Sequence, residues 1–351
     1  MVLNVLKIFG LAVISFFIGI LLTPLLTHFL YKYKVWRKDV RTVAPDGSAT
    51  PIFASLHRER ETKVPRMGGI LIWIIPLCLI FILWFLSIFF PTPLFKKLNF
   101  LSRSQTWLPL FTLIAASLVG LADDIFQVFG KGKYVAGGVR FSRRLLLIIL
   151  IASVGALWFY FKLEKTDIFI PFLGDFHLGL LFIPFFILTM LATFSGSAID
   201  GLDGLAGGVM AAIFSAYSGI AFSQNQIDIA TFCAAIAGTI LAFLWFSIPP
   251  ARFYMGETGM FGLTTTLTVV AFLTNTVLIL PIIAFPLVIT SFSIIIQLLS
   301  KKFLRRKIFL VSPIHHHFEA KGWPAYKVTM RFWVISVIFA IIGMVIALLG
   351  K

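Results

Sequence analysis

Negative charge is scarce in this 351-residue chain: 14 Asp and Glu stand against 30 Lys and Arg, for a formal charge of +16. Cysteine is scarcer still. The two thiols, Cys78 and Cys233, both fall in apolar runs, so they offer neither a disulfide framework nor metal-ligand spacing and read as packing residues. Charged residues of all kinds make up only 13%, where a soluble domain carries about a quarter. That shortage excludes an ordinary water-facing surface. What is plentiful is apolar: 59% of the residues are hydrophobic. Folding alone cannot hide that much from water, so lipid must be the solvent for most of it.

The segmentation agrees. Runs long enough to cross a hydrocarbon core as helices, about 17–25 residues, recur at 6–30, 67–90, 107–123, 144–162, 178–198, 204–222, 229–247, 259–275, 277–299 and 330–349. The expectation is an all-α polytopic membrane protein of about ten transmembrane helices, forming a single integral domain over 1–351. The first run is too long and too weakly flanked for a cleaved signal peptide. Lys and Arg crowd 32–66, 131–144 and 301–327, are sparse at 96–103 and 162–165, and are missing from 223–228. By the positive-inside asymmetry the crowded loops are cytoplasmic. Both termini then lie on the periplasmic side of a bacterial inner membrane. Basic charge placed this way suits the lipid bilayer and phosphate-bearing substrates and argues against nucleic acid as the partner.

With that orientation, the informative acids all map to the cytoplasmic face: Asp123, Asp124, Asp200, Asp203, Glu257 and Glu319. Ionisable groups at membrane depth are costly and usually functional. Asp123 and Asp124 end the third run. At a helix C-terminus two adjacent carboxylates repel each other and the dipole, so they need a cation, from Lys131, Lys133 or Mg²⁺. The plainer reading is a charged stop at the membrane interface. Asp200-Gly-Leu-Asp203-Gly-Leu-Ala-Gly-Gly208 combines two carboxylates with glycines that admit a ligand close to the backbone. Mg²⁺ bound beside a phosphate suits such oxygens; a polar hairpin turn is the alternative. Glu257 precedes the eighth run, where an acid also serves as ordinary capping. Tyr254 fits base stacking or an interfacial aromatic belt equally well. His315, His316 and His317 are half of the six histidines. Their consecutive spacing is not that of a helical zinc protease site, but it suits hydrogen bonds to phosphate oxygens or the orienting of a carboxylate.

Together these segments resemble the prenyl-phosphate sugar-1-phosphate transferases. The carrying motifs are Pro65-Arg-Met-Gly-Gly69, Gly120-Leu-Ala-Asp-Asp124, the Asp200–Gly208 block, Phe243-Leu-Trp245 and Met255-Gly-Glu-Thr-Gly259. Pro313-Ile-His-His-His-Phe-Glu319, followed by Lys321-Gly-Trp-Pro324 and Arg331-Phe-Trp333, points within them to the muramoyl-pentapeptide branch. The resemblance covers nearly the whole chain. It implies ten spans, with undecaprenyl phosphate and UDP-MurNAc-pentapeptide as partners, UMP and lipid I as products, Mg²⁺ as cofactor and a homodimer. It further implies catalytic and metal-binding roles for Asp123, Asp124 and Glu257, with Glu257 and one Asp on the ion and the other Asp orienting or deprotonating the prenyl phosphate. Lys131 and Lys133 become phosphate contacts. Asp200, Asp203 and Tyr254 go to the uridine end, Ser197 and Ser247 stand where the family has Asn, and His315, His316 and His317 line the cleft.

Departures accompany the match. The family has Asp where Glu257 stands, Lys where Gln127 stands and an upstream Lys where Glu61 stands. A divergent working site is favoured over a decayed paralogue, because the carboxylates at 123, 124, 200 and 203 and all three histidines are present. Two other readings stay open: a related transferase using another UDP-N-acetylhexosamine, and a flippase. A flippase would place its charges near the bilayer midplane rather than at one face.

Overall fold

Lipid offers no hydrogen-bond partner to an exposed peptide group, so apolar runs of this length fold as helices whose backbone bonds close internally. The computed structural model follows that rule throughout. It describes residues 1–38, 40, 42, 50–101, 104–130 and 138–350, the side chains of 58–60 and 104–105 excepted. Val2–Lys32 forms α1, and Pro51–Lys63 forms α2, a polar helix within the first basic loop. Ile70–Phe89 forms α3, the short Pro93–Leu98 forms α4, and Ser104–Phe129 forms α5. Phe141–Leu157 is α6, prolonged by a π turn over Trp158–Lys162. A small antiparallel hairpin follows, β1 (Asp167–Ile170) with β2 (Gly174–His177), pairing Asp167 with His177. Then come α7 (Phe182–Ser195), α8 (Leu205–Ser223), α9 (Ile227–Ser247), α10 (Gly256–Leu273) and the one-turn α11 (Leu280–Ile283). The chain closes with α12 (Phe285–Leu299), α13 (Ile314–Ala320) and α14 (Ala325–Leu349).

Among the described residues, nine helices are long and apolar enough to cross a membrane: α1, α3, α5 to α9, α12 and α14. The remaining expected span is α10, whose 18 residues include five threonines and Glu257. At a rise of about 1.5 Å per residue it measures close to the hydrocarbon thickness. Every residue of α10 except Glu257 is buried. Its principal neighbour is α5, with α3, α7 and α8 around it. Hydroxyls on such a helix must find acceptors. Thr258 donates to the carbonyl of Ser117 at 3.0 Å, and Thr264 and Thr265 donate one turn back to Met260 and Phe261, each at 2.8 Å. α10 is thus the axis of the bundle rather than a lipid-facing wall.

Contacts sort the connections onto two ends. At one end Lys7 pairs with Asp228, Lys165 bonds Asn275, Gln224 and Gln226 bond the carbonyls of Thr274 and Leu273, and the Phe172 amide bonds the Gly350 carbonyl. Both chain ends therefore lie there. The opposite end carries the basic loops and the acids singled out above.

Candidate active site

α5 delivers the adjacent carboxylates. The sequence reading stops the third span at residue 123 and sets the pair at a helix C-terminus, and this needs correction. Ile125, Phe126 and Val128 carry the helix on to Phe129, and Gly130, at φ +63°, ends it. The pair therefore sits more than one turn inside α5, and direct cationic and amide partners, rather than the dipole, set its environment. Successive helical residues diverge by about 100°, so the two side chains face different neighbours. Asp123 turns toward α6. Its Oδ1 accepts from the Val139 amide at 2.6 Å, and its Oδ2 accepts from Gln127 at 2.7 Å and Arg144 at 3.1 Å. Asp124 turns toward α10, with Oδ2 accepting from the Thr258 amide at 3.0 Å and Oδ1 from Arg66 Nε at 3.4 Å. Both are fully buried.

α10 delivers the third carboxylate from its first turn. Glu257 faces Arg144 Nη1 at 3.8 Å, and its side chain is 24% exposed, against none for either Asp. Gly256, at φ +71°, is what lets this turn meet α5: a Cβ there would stand 2.5 Å from Asp124 Oδ2. Its amide donates to Asp200 Oδ2 at 2.8 Å, which ties the Asp200 loop to the same turn.

A third layer explains two of the departures. Arg37, buried in the first basic loop, donates to Glu61 at 2.6 Å and also to Gln127, which in turn donates to Asp123. The guanidinium thus stands between Glu61 and Gln127, the two positions where the resemblance leads one to expect lysine. Arg37, Arg66 and Arg144 were not singled out as site residues. Their partners lie 90, 58 and 21 residues away, and no local pattern announces contacts of that range.

The donor chemistry bears on the expected ion. Mg²⁺ takes oxygen ligands and is typically held by one or two carboxylates, with substrate phosphates and water completing its shell. Asp123 already accepts three donors. Asp124 likewise meets Arg66 and the Thr258 and Glu257 amides, which leaves Glu257, linked to Asp123 through Arg144, as the least committed carboxylate; an ion held chiefly by it, with substrate phosphates and water, fits these residues.

Comparison with known proteins decides the family. Residues 106–275, from α5 through α10, match the model described as Glycosyl transferase family 4. The chain is 33% identical over 341 residues to the phospho-N-acetylmuramoyl-pentapeptide-transferase of a Geobacillus species, covering 95% of this chain and 96% of that one. The chain belongs to the phospho-N-acetylmuramoyl-pentapeptide-transferase family. Its likeness to the Acetivibrio thermocellus transferase (33% over 337 residues, 94% and 92% covered) and to that of Bacillus subtilis (32% over 338 residues, 95% of each) is similar.

The other expected residues of this transferase divide by place. Lys131 and Lys133 lie outside the described residues. Asp203 is engaged on both oxygens, by the Ala251 amide at 3.2 Å and the Tyr254 hydroxyl at 3.3 Å, so it braces the 248–255 segment. Ser197 is half-buried in the turn before Asp200, and Ser247 is buried at the end of α9. The three histidines lie on α13. His315 and His316 point inward, where Gly201 leaves room for both rings: a Cβ there would stand 2.6 Å from His315 Nε2 and 2.7 Å from His316 Nε2. His317 turns away, its Nδ1 accepting from the Leu310 amide. Burial, then the neighbouring His316 and His57, hold His315 well below the ordinary imidazole range. Burial works to raise Glu319, but hydrogen bonds from His316 and His57 outweigh it and hold that carboxyl at about 2. His57, on α2, was not anticipated at this site.

Proposed function

We propose that the chain transfers phospho-MurNAc-pentapeptide from UDP-MurNAc-pentapeptide to undecaprenyl phosphate at the cytoplasmic face of the bacterial inner membrane, releasing UMP and forming lipid I, with Mg²⁺ as cofactor. The observation that carries it is the convergence of Asp123, Asp124 and Glu257 with Arg66 and Arg144 at one end of a membrane bundle. A lipid substrate and a soluble one can meet only at such an interface.

The second pKa of a phosphate monoester is about 6, so the attacking oxygen of undecaprenyl phosphate is already mostly anionic. The difficulty is electrostatic: a dianion must approach a pyrophosphate. One of its oxygens bonds to the β-phosphorus of the donor, and the bond from that phosphorus to the UMP oxygen breaks. Bound Mg²⁺ supplies charge neutralisation on the phosphates. Glu257 with Asp124 would hold it. Asp123, fixed by Gln127, Arg144 and the Val139 amide, keeps Arg144 oriented beside Glu257 and is placed to position the prenyl phosphate. Arg66 and Arg144 hold positive charge where negative charge accumulates. Asp200 anchors the Gly256 turn and so sets the height of Glu257. Tyr254 is the stacking surface for the uracil. Crowding of Lys and Arg at this end supports its cytoplasmic placement.

The test is UMP release by the purified protein in detergent, with undecaprenyl phosphate and UDP-MurNAc-pentapeptide, with and without Mg²⁺, and with UDP-N-acetylglucosamine as rival donor. Mg²⁺-dependent release from the muramoyl donor alone is expected; release from neither donor by folded protein overturns the reading. Labelling of single cysteines at 225 and 318 in intact cells reads the sidedness, and the particle mass in detergent reads the homodimer.

A further inference from the structure

We propose that His57, His316 and Glu319 form a binding site for a divalent transition-metal ion, Zn²⁺ by its donor set, which clasps α2 to α13 at the cytoplasmic mouth. One ligand atom from each of the three lies within 4.8 Å of the others. Glu319 Oε2 is 3.1 Å from His57 Nε2 and 2.7 Å from His316 Nδ1. Tetrahedral zinc, with bonds of about 2.0–2.1 Å, sets neighbouring donors about 3.3 Å apart. The two contacts of Glu319 Oε2 fall short of that spacing by about 0.2 and 0.6 Å, and the imidazole donors lie within 4.8 Å of each other, so small side-chain shifts admit the ion.

The donor set discriminates. Two imidazoles and a carboxylate suit zinc and its neighbours and are poor ligands for Mg²⁺, which wants oxygen throughout. No residue of the set belongs to the Asp123, Asp124 and Glu257 group. Burial favours retention: His57 is 3% exposed and His316 4%. Phe53, one helical turn before His57, stacks on it at 4.7 Å and meets His316 edge-on at 5.2 Å, walling the site with an apolar ring.

His315 supplies a second, independent observation. It is fully buried, its ring lies 4.3 Å from that of His316, and neither of its nitrogens has a hydrogen-bond partner among the described residues. Buried polar atoms left this way call for an explanation. Hydrogen bonds within the trio account for His57, His316 and Glu319 and leave His315 stranded. Its Nε2 lies beside that of His316 at Gly201, across the ring from the Nδ1 that faces Glu319, where a water would join the two imidazoles and hold His316 as an Nδ1 ligand. The clasp also has a route to the carboxylates, because α2 carries Glu61, which holds Arg37, which holds Gln127 against Asp123.

The experiment uses full-length protein in detergent, purified without a polyhistidine tag, equilibrated with Zn²⁺ and freed of excess before metal analysis. About one zinc per chain is expected, unaffected by millimolar Mg²⁺, with the Glu319→Gln and His57→Asn variants binding at least about 100-fold more weakly. Co²⁺ in place of zinc should give the visible absorption of a tetrahedral centre in the unaltered protein, a readout that survives if the variants fail to fold. Absence of both stoichiometric zinc and the cobalt band overturns the proposal, as does equal retention by a folded His57→Asn/Glu319→Gln variant. The readout is metal content, so its failure is separate from failure of Mg²⁺-dependent UMP release.

Discussion

The two ends of the bundle handle polar groups differently. At the end that holds the termini, polar contacts form small local sets: Lys7 with Asp228 at 2.7 Å, His177 with Asp167 at 2.5 Å and with Thr166, Lys165 with Asn275 at 2.9 Å. At the other end the partners are shared. Glu61, Arg37, Gln127, Asp123, Arg144 and Glu257 run as one chain of contacts across four helices and the first basic loop. Small sets of this kind pin loops, and their loss should be local. A shared chain sets the positions of several carboxylates at once, and losses within it should be non-additive.

The sharpest break in that comparison is Glu257→Gln, which should cut UMP release about 10³-fold while leaving the unfolding midpoint in detergent nearly unmoved, because its side chain is partly exposed; Asp124→Asn should cut release as far and also lower the midpoint, since it strands Arg66. A loss below tenfold would mean these oxygens only brace the fold. Next in size is Arg37→Met. Removing one member of a buried charged set leaves the others uncompensated, so about 3 kcal/mol of stability should go, read by thermal or denaturant unfolding. Adding Glu61→Leu should restore most of it, because the stranded carboxylate leaves too. Gly256→Ala imposes a side chain on a left-handed residue facing Asp124 and should cost about 2 kcal/mol together with part of the activity. The smallest effects belong to the other end: Lys7→Met should leave UMP release within about twofold, and the exposed His177→Ala should change stability by about 0.5 kcal/mol or less.

Legibility followed the same division. Helices were readable because lipid permits little else, and the apolar runs register them directly. The gathering of Asp124, Asp200, Glu257 and Glu319 at one end was readable from loop charge. The depth of Asp123 and Asp124 within α5 was not, since charge looks like a terminus until Gly130 is seen to supply the real one. The β1–β2 hairpin left no trace, because four-residue strands are too short to show alternation. Arg37 was hidden by distance: the resemblance marked 61 and 127 as departures, with Lys63 a candidate substitute for the first, and only the fold shows one guanidinium between Glu61 and Gln127. His57 was hidden likewise, since nothing at 57 points to 319.

The enclosed α10 has a consequence for biogenesis. Its threonines and Glu257 make it a weak signal for the insertion machinery, which sorts segments by apolar content as they emerge. Its hydroxyls bond partly to carbonyls of α5, at Ser117 and Thr112, which is synthesised earlier and is already in place. A helix of this composition is expected to enter by docking on the half-built bundle rather than by partitioning on its own. On that route the carboxylate that completes the site is delivered last, onto neighbours from α5 that are already in place.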